Sequence, residues 1–222
     1  MKRNPTAFLK KEYDELVKNS IDWKLRILKT GSTPHSVVDG KEVIMLCSNN
    51  YLNLSNHPRL IKGAVDAAKK LGAGSGSVRA IAGTMELHME VERKLAKFKR
   101  TESSLIYQTG FAANAGLIPQ LVGRGDIIIS DELNHGSIID GVRLSKADRT
   151  VYKHRDMGEL EKVLKDADKK YNRILTITDG VFSMDGDIAP ADQIVKLANE
   201  YGAMTYADDA HGEGVIGPDG GE

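Results

Sequence analysis

The segment YADDAHGEGVIG, residues 206–217, carries the side chains best suited to chemistry. It places Asp208, Asp209 and His211 directly after an apolar stretch and follows them with three glycines. Carboxylates and an imidazole are costly to hold beside an apolar interior unless they pair with a partner or a ligand. An aspartate there can keep a pyridine-type nitrogen protonated, and a histidine three residues on can reach a neighbouring ring oxygen. The segment therefore predicts a site for a charged aromatic ligand.

Small or polar residues follow three further strand-like stretches, at residues 109–111, 131–135 and 179–183. Ligands of open α/β sheets bind at the carboxyl ends of the strands, so four such ends together indicate a flat, phosphorylated ligand. Gly110, before a helix, would let backbone N–H groups approach a phosphate, although a glycine needed only for the turn is the alternative. His135 either caps the next helix or stacks on the ligand.

Other kinds of site are less well supported. Asp208, Asp209, His211 and Glu213 could bind a metal ion, but no second cluster completes a ligand set, so no metal is expected. GAGSG, residues 72–76, follows a helix and lacks the complete dinucleotide-binding pattern. A hydrolase G-x-S-x-G turn is not present in GSGSV. The remaining residues with reactive side chains are expected to be structural or at the surface: His35, His57, His88 and His154, with Cys47 as a small core residue.

Composition narrows the class of protein. The 222 residues have a formal net charge of zero and are 41% hydrophobic, which is typical of one globular domain or slightly more. Balanced charge argues against nucleic-acid binding. No apolar stretch approaches the roughly 18–20 residues that cross a bilayer, so no membrane partner is expected. The lone cysteine and the polar N-terminus favour a cytoplasmic location.

The predicted elements position these side chains. We expect a helix over residues 5–29, a hairpin turning at Asp39–Gly40, and a helix from Pro58 to about Leu71. A glycine-rich loop over residues 72–84 precedes a helix over residues 85–99. Helices then alternate with strands, which implies a mostly parallel sheet with helices on both faces. The expected strands cover residues 104–108, 126–130, 149–154, 173–181 and 203–208.

The motifs in this framework resemble the α-oxoamine synthases, pyridoxal-phosphate (PLP) enzymes that join a small amino acid to an acyl-CoA. The motifs are SNNYLNLSNHP, GSGSVRAIAGTMELHMEVE, YQTGFAANAG, SDELNHGSIIDGVRLSKA, TDGVFSMDGDIAP and DDAHGEGVIG. The resemblance covers most of residues 35–220 and implies an α/β domain of PLP fold type I, similar to aspartate aminotransferase. SVRAIAGT and TDGVFSMDG favour the glycine C-acetyltransferase branch, which uses glycine and acetyl-CoA. The alternative is the branch that condenses alanine with a pimeloyl thioester.

The resemblance also implies roles for individual residues. His135, Asp208 and His211 are the implied catalytic residues, and Asn50 and His135 would contact the substrate. Asp208 would pair with the pyridine nitrogen, His135 would stack on the ring, and His211 and Ser183 would bind near the ring oxygen. The cofactor phosphate would be bound by the backbone of Gly110 and Phe111.

Departures from the family pattern lead to further expectations. The family's Schiff-base lysine, in a Ser/Thr–Lys motif, and its small C-terminal domain would lie beyond Glu222, so this chain alone is not expected to catalyse the reaction. A non-catalytic binding protein is therefore an alternative. Asn53 replaces a usual glycine. We expect residues 1–48 to be an arm with a short hairpin, residues 49–222 to be an incomplete PLP domain, and the protein to be a homodimer.

Overall fold

The computed structural model describes residues 4–218 and residue 220. The chain forms two compact units, Met1–Lys70 and Leu71–Glu222. The first contains α1 (Ala7–Lys18), β1 (His35–Val38), β2 (Lys41–Ile44) and α2 (Pro58–Leu71), whose last residue belongs to the second unit. The second contains a π-helical turn (Arg79–Gly83), α3 (Glu86–Lys99), α4 (Gly110–Leu121), β3 (Ile127–Asp131), α5 (Gly136–Leu144), β4 (Asp148–Tyr152), α6 (Met157–Asp168), β5 (Ile174–Asp179), α7 (Ala191–Glu200) and β6 (Met204–Asp208).

The first helix is shorter than the sequence pattern predicts. It ends at Lys18, and the prediction of helix through residue 29 is wrong. Ser20 adopts φ 58°, and the N–H groups of Ser20 and Ile21 donate to the carbonyls of Val17 and Leu16 at 3.1 Å. This pair of bonds is the Schellman arrangement, which terminates a helix through a residue in the left-handed conformation. The backbone then leaves the helix axis.

The hairpin and the second helix are confirmed. β1 and β2 pair antiparallel around Asp39 and Gly40, whose φ values of 51° and 80° fit the two-residue turn that such hairpins favour. The Asp39 carboxylate accepts the N–H of Ile27 at 2.9 Å and an Arg26 guanidinium N–H at 2.8 Å. α2 has the predicted bounds, and Pro58 begins it.

The sheet of the second unit has the strand order β4-β3-β5-β6, and all three strand pairings are parallel. The predicted strand at residues 104–108 is wrong, because this segment lies along α3 and not in the sheet. The N–H of Ile106 donates to Glu92 Oε1 at 3.1 Å, and Ser104 Oγ donates to the Glu92 carbonyl at 2.6 Å. Glu92 on α3 therefore supplies the hydrogen-bond acceptors that a neighbouring strand would otherwise offer to this segment.

Two apolar clusters cover the two faces of the sheet. Ile127 and Ile129 of β3 pack with residues of α6 and α7, whereas Ile128 packs with residues of α4 and α5. This alternation follows from the two-residue repeat of a strand. A Cβ on Gly141 of α5 would lie 2.7 Å from the Asn114 carbonyl, so glycine permits the close approach of α5 to α4. Helices on both faces of a parallel sheet confirm the predicted fold class.

Candidate active site

Three aspartates mark one edge of the sheet. Asp131, Asp179 and Asp208 are the last residues of β3, β5 and β6, and Asp179 and Asp208 are register partners. Because the strands are parallel, their carboxyl ends share one edge. The fourth predicted strand end, at residues 109–111, is instead the N-terminus of α4, since residues 104–108 form no strand. The predicted site is therefore built from three strand ends and one helix end.

Asn114 of α4 connects these elements. Its Nδ2 donates to Asp208 Oδ2 at 2.8 Å and to Ser137 Oγ at 2.9 Å, and its Oδ1 accepts the Tyr206 hydroxyl at 2.7 Å. Asn114 is 3% exposed, its bond to Ser137 is buried, and its bonds to Asp208 and Tyr206 are partly buried. A buried amide with its polar atoms satisfied fixes the orientation of its neighbours. The Asp208 carboxylate is accordingly held in one orientation at the end of β6.

His135 both caps a helix and remains available to a ligand. Its Nδ1 accepts the N–H of Ser137 at 3.2 Å and lies 2.7 Å from Ser137 Oγ, which confirms the capping alternative. The residue as a whole is exposed. Since Ser137 also bonds Asn114, hydrogen bonds link the imidazole of His135 to the carboxylate of Asp208. Capping fixes the ring without covering it, so stacking on a ligand is compatible with this geometry.

Asp179 lies buried between the other polar groups of the edge. Its Oδ2 accepts the N–H of His135 at 2.8 Å. Burial, followed by the charge of Asp208, raises the pKa of Asp179 to about 6, although the His135 N–H and the charges of His135 and His211 oppose this. Two neighbouring carboxylates resist simultaneous ionisation. A cationic group bound beside Asp208 would relieve that repulsion.

Asn134 fastens the turn after β3 to β5. Its Oδ1 accepts the N–H of Asp179 at 2.8 Å, and its Nδ2 donates to the Ile177 carbonyl and to Ser130 Oγ at 2.9 Å. The residue is 5% exposed. The side chain thus provides the sheet-edge bonds that a further strand residue would otherwise make, and it directs the chain into His135.

The N-terminus of α4 has the properties of an anion site. Thr109 Oγ1 accepts the N–H of Ala112 at 3.0 Å, and its carbonyl accepts that of Ala113. The described part of the chain offers no acceptor to the N–H of Gly110 or of Phe111. The first N–H groups of a helix point outward and favour a negative charge. Both residues are exposed, as a bound phosphate would require.

The turn after β6 is packed around Asp209. A Cβ on Gly180 would lie 2.7 Å from Asp209 Oδ1, and a Cβ on Gly212 would clash with the same oxygen. Lys99 Nζ lies 2.8 Å from Glu213 Oε2. His211 is partly buried in this turn. Over residues 4–218 and 220, no group of three or more His, Cys, Asp and Glu side chains could hold a metal ion.

Ser183 lies in the loop between β5 and α7, which we call the Ser183 loop (residues 181–188). Val181 and Ile188 form a bridge across its base, and the N–H of Phe182 donates to the Asp187 carbonyl at 2.9 Å. Ser183 is exposed, whereas Phe182 beside it is 2% exposed. The buried ring anchors the loop and leaves the hydroxyl-bearing residue at the surface.

The predicted substrate residue Asn50 belongs to the first unit. Its Nδ2 donates to the Ser32 carbonyl at 2.8 Å and to Asn53 Oδ1 at 3.3 Å, and its Oδ1 accepts the N–H of Ser55 at 3.1 Å. Asn53 adopts φ 52°, a conformation that glycine prefers and asparagine tolerates. These bonds fold the segment around Asn50 into a compact turn.

The other reactive side chains have structural positions, and only for Cys47 does the observed exposure differ from the predicted burial. His57 and His88 accept backbone N–H groups near helix starts, and His154 contacts two carboxylates. Cys47 is exposed, so its prediction as a core residue is wrong. It follows β2 in a segment where few side chains are covered.

Four residues of the site were not predicted from the sequence: Asn114, Asn134, Ser137 and Tyr206. An asparagine within an otherwise small and apolar helix segment (GFAANAG) was the available signal, because such a residue needs a partner when it is buried. The partner of Asn114 is 94 positions away along the chain. Spacing within a motif carries no information on a contact of that separation.

Comparison with known proteins identifies the family. Residues 41–220 match the family model described as aminotransferase class I and II, and the chain belongs to this family. It is 58% identical over 213 residues to 8-amino-7-oxononanoate synthase of Thermoanaerobacter pseudethanolicus, covering 96% of this chain and 54% of that protein. The enzyme of the same name from Treponema denticola is 54% identical with the same coverage. The chain thus spans about half the length of the curated relatives it matches.

Solved structures that resemble this chain support the same family. Serine palmitoyltransferase from S. paucimobilis with a bound PLP–myriocin aldimine gives a TM-score of 0.88 at 33% identity, covering 97% of this chain and 56% of that one. An 8-amino-7-oxononanoate synthase from Francisella tularensis gives 0.65 at 30% identity, covering 78% and 47%. The resemblance to the α-oxoamine synthases, the PLP fold type I and the PLP dependence of the family are confirmed.

The relatives adjust the prediction of the substrate branch. The curated relatives carry the name of the alanine-using branch, so they favour the alternative over glycine and acetyl-CoA. For the membrane prediction, the helices in the described part of the chain include none long and apolar enough to span a bilayer.

Proposed function

We propose that the complete protein is an 8-amino-7-oxononanoate synthase, which condenses alanine with a pimeloyl thioester and releases carbon dioxide and the thiol that carried the acyl group. The observation that carries the proposal is the hydrogen-bonded connection from Asp208 through Asn114 and Ser137 to His135 on one edge of the sheet. The identity of 58% to a curated enzyme of that name supports the choice of branch.

The donor set suits PLP. The free N–H groups of Gly110 and Phe111 would bind the phosphate, and Asp208 would accept a hydrogen bond from the protonated pyridine nitrogen. The remaining ligand contacts would come from His135 on the ring face, with His211 and Ser183 near the ring oxygen. When bound, PLP supplies an electron sink for the carbanion at the α-carbon of the amino acid.

The protein's own groups set the protonation of that ring. The Asp208 carboxylate receives the N–H of Ala210 on Oδ1 at 3.2 Å and Asn114 Nδ2 on Oδ2, and each oxygen retains a lone pair. A carboxylate so oriented can keep a proton on a nitrogen beside it. Tyr206 fixes the direction of the Asn114 amide, so the donor and not the carbonyl faces Asp208.

The proposal extends to the organisation of the protein. Residues 1–48 would be an N-terminal arm, with Asn50 near the substrate carboxylate, and residues 49–222 would form the cofactor-binding domain. We propose a cytoplasmic homodimer with alanine and the acyl thioester as its partners. These features rest on the family resemblance.

The test uses the full-length protein with two substrate pairs, alanine with pimeloyl-CoA and glycine with acetyl-CoA. Cofactor binding is followed by PLP absorbance for the wild type, for Asp208→Asn and for the exposed control Asp166→Asn on α6. We expect turnover with the alanine pair, loss of activity in Asp208→Asn, and no change in Asp166→Asn. Preference for the glycine pair would return the assignment to glycine C-acetyltransferase, and a wild type that binds no PLP would refute both.

A further inference from the structure

His154 lies two residues beyond β4, with its ring between two carboxylates. Its Nδ1 is 2.9 Å from Asp131 Oδ1, and its Nε2 is 3.2 Å from Asp187 Oδ2. The side chain is 16% exposed. A neutral imidazole can donate from one nitrogen only, whereas an imidazolium donates from both. Both contacts are therefore hydrogen bonds at the same time only when the ring is protonated.

The first of these carboxylates organises the turn that leads to His135. Asp131 Oδ1 also accepts the N–H of Leu133 at 2.9 Å, and Oδ2 accepts the N–H of Arg155 at 3.1 Å. The Asp131 side chain is 1% exposed, and both of these bonds are partly buried. Asp131 thus joins the ends of β3 and β4 and sets the path of the chain into Asn134 and His135.

The second carboxylate belongs to the Ser183 loop. The Asp187 carbonyl accepts the N–H of Phe182, and the Phe182 ring meets the His154 ring edge-on, with centroids 4.4 Å apart. One imidazole therefore contacts both arms of the loop, by an ion pair on one arm and by ring packing on the other. Ser183 lies between these two contacts.

We infer that His154 is a positioning residue, which in its protonated form ties the Ser183 loop to the turn leading into His135. It acts through Asp131 and Asp187 and has no role as a ligand contact. Ser183 and His135 are cofactor residues in the proposed function, and the inference rests on it. Loss of the tether would let the loop move away from the sheet edge and weaken cofactor binding.

The groups around His154 define how the tether depends on pH. Arg155 Nη1 lies 3.0 Å from Asp187 Oδ1, Glu132 Oε1 accepts the N–H of His154 at 2.8 Å, and the Tyr152 phenol lies buried near Asp131. Partial burial lowers the pKa of His154, but hydrogen bonds and charge from Asp131, then from Asp187, outweigh it and raise the pKa. The stabilisation is complete below the ordinary value of 6.5 and is lost as pH rises through the higher folded value.

The experiment compares full-length wild type with His154→Gln, with Asp187→Asn and with the exposed control His35→Gln. Proton NMR of the PLP-free protein follows the imidazole resonance that His154→Gln removes. We expect this resonance to titrate with a pKa above 6.5 in the wild type and with a lower pKa in Asp187→Asn. Hydrogen exchange of the 181–188 amides should be faster in both variants than in the control. At pH 6 both variants should have a dissociation constant for PLP about tenfold larger than that of the wild type. This difference between variants and wild type should shrink toward pH 9.

The outcomes separate the inference from the proposed function. A wild type that binds PLP, with Asp187→Asn unchanged in affinity and in pH dependence, overturns the inference. If the wild type binds no PLP, the proposed function is wrong, and the hydrogen exchange decides the tether: faster exchange in Asp187→Asn supports it, and unchanged exchange overturns it. Asp187 is partly exposed, so this variant tests the tether even if His154→Gln does not fold.

Discussion

The two units of the chain are stabilised in different ways. Among described residues 4–70 only Ser36 is buried, and Trp23, Leu25 and Leu46 are 94%, 89% and 91% exposed. From Leu71 onward, two apolar clusters enclose the sheet. Backbone geometry and side-chain-to-backbone bonds shape the first unit, whereas packing shapes the second. Substitutions of the same type should therefore have different costs in the two units.

The largest difference is expected for a leucine in each unit. Leu160 on α6 is fully buried, so Leu160→Ala should lower the free energy of unfolding by about 2–5 kcal/mol, because it leaves a cavity. The matched Leu25→Ala should change it by less than about 0.5 kcal/mol. Urea unfolding followed by circular dichroism measures both. Equal losses would show that Leu25 is covered in solution and would break the comparison.

The second-largest loss of stability is expected for Asn134, whose buried side-chain amide lies at the edge of the sheet. Asn134→Ala leaves the Asp179 N–H and the Ile177 carbonyl without their side-chain partner, which should cost about 1–3 kcal/mol. Urea unfolding measures the loss, with Asn199→Ala on the exposed side of α7 as the control. A cost no larger than that of the control would mean that water replaces the amide.

The third-largest effect on stability is expected for Glu92 and depends on acid pH. Glu92, buried on α3, accepts bonds from Arg79 and from the Ile106 N–H, which in that order hold the pKa of Glu92 down at about 2. A lowered pKa gives stability that is present above 4.5 and is lost as pH falls toward 2. The unfolding free energies of wild type and Glu92→Gln, measured from pH 7 to pH 3, should therefore converge in acid.

Arg79→Gln provides the matched variant for that pair. It removes the guanidinium and keeps the carboxylate, so its acid dependence should also be weaker than that of the wild type. Parallel curves for all three proteins would show that the pair adds nothing to the attachment of the glycine-rich loop to α3.

The smallest effect is expected in the hairpin of the first unit. Gly40 has φ 80°, and an alanine there should cost about 1 kcal/mol, since its Cβ disfavours the left-handed region. Gly63→Ala within α2 should have the opposite sign, because alanine is the better helix former. Hydrogen exchange of the amides of β1, β2 and α2 measures both changes. Destabilisation by both changes would contradict the backbone interpretation.

The sequence predicted what depends on local chemistry. Pro58 gave the start of α2 because proline fixes its own φ. Asp39–Gly40 gave the position of the hairpin because these residues tolerate the positive φ of its turn. It failed at residues 104–108, where an apolar pattern typical of a strand packs along α3. Pattern alone does not distinguish a sheet neighbour from a helix neighbour.

The residues of the candidate site likewise include some that the sequence predicted and others that it did not. The motifs brought out Asp208 and His135, since charged and aromatic groups after apolar stretches are unusual. The hydrogen bonds that orient them come from Asn114, Ser137 and Tyr206, whose importance arises only when α4, α5 and β6 meet. Residues that hold others in place leave a weak signal in a single sequence.

Two glycines, one after β5 and one after β6, make room for the side chain of Asp209. The carboxylate of Asp209 fills a notch between Gly180, after β5, and Gly212, after β6, and a methyl group on either would meet it. The turns that follow the neighbouring strands β5 and β6 are thus interlocked through the Asp209 side chain. A side chain added at Gly180 or at Gly212 would displace the Asp209 carboxylate, so a change of shape in one of these turns requires a change in the other.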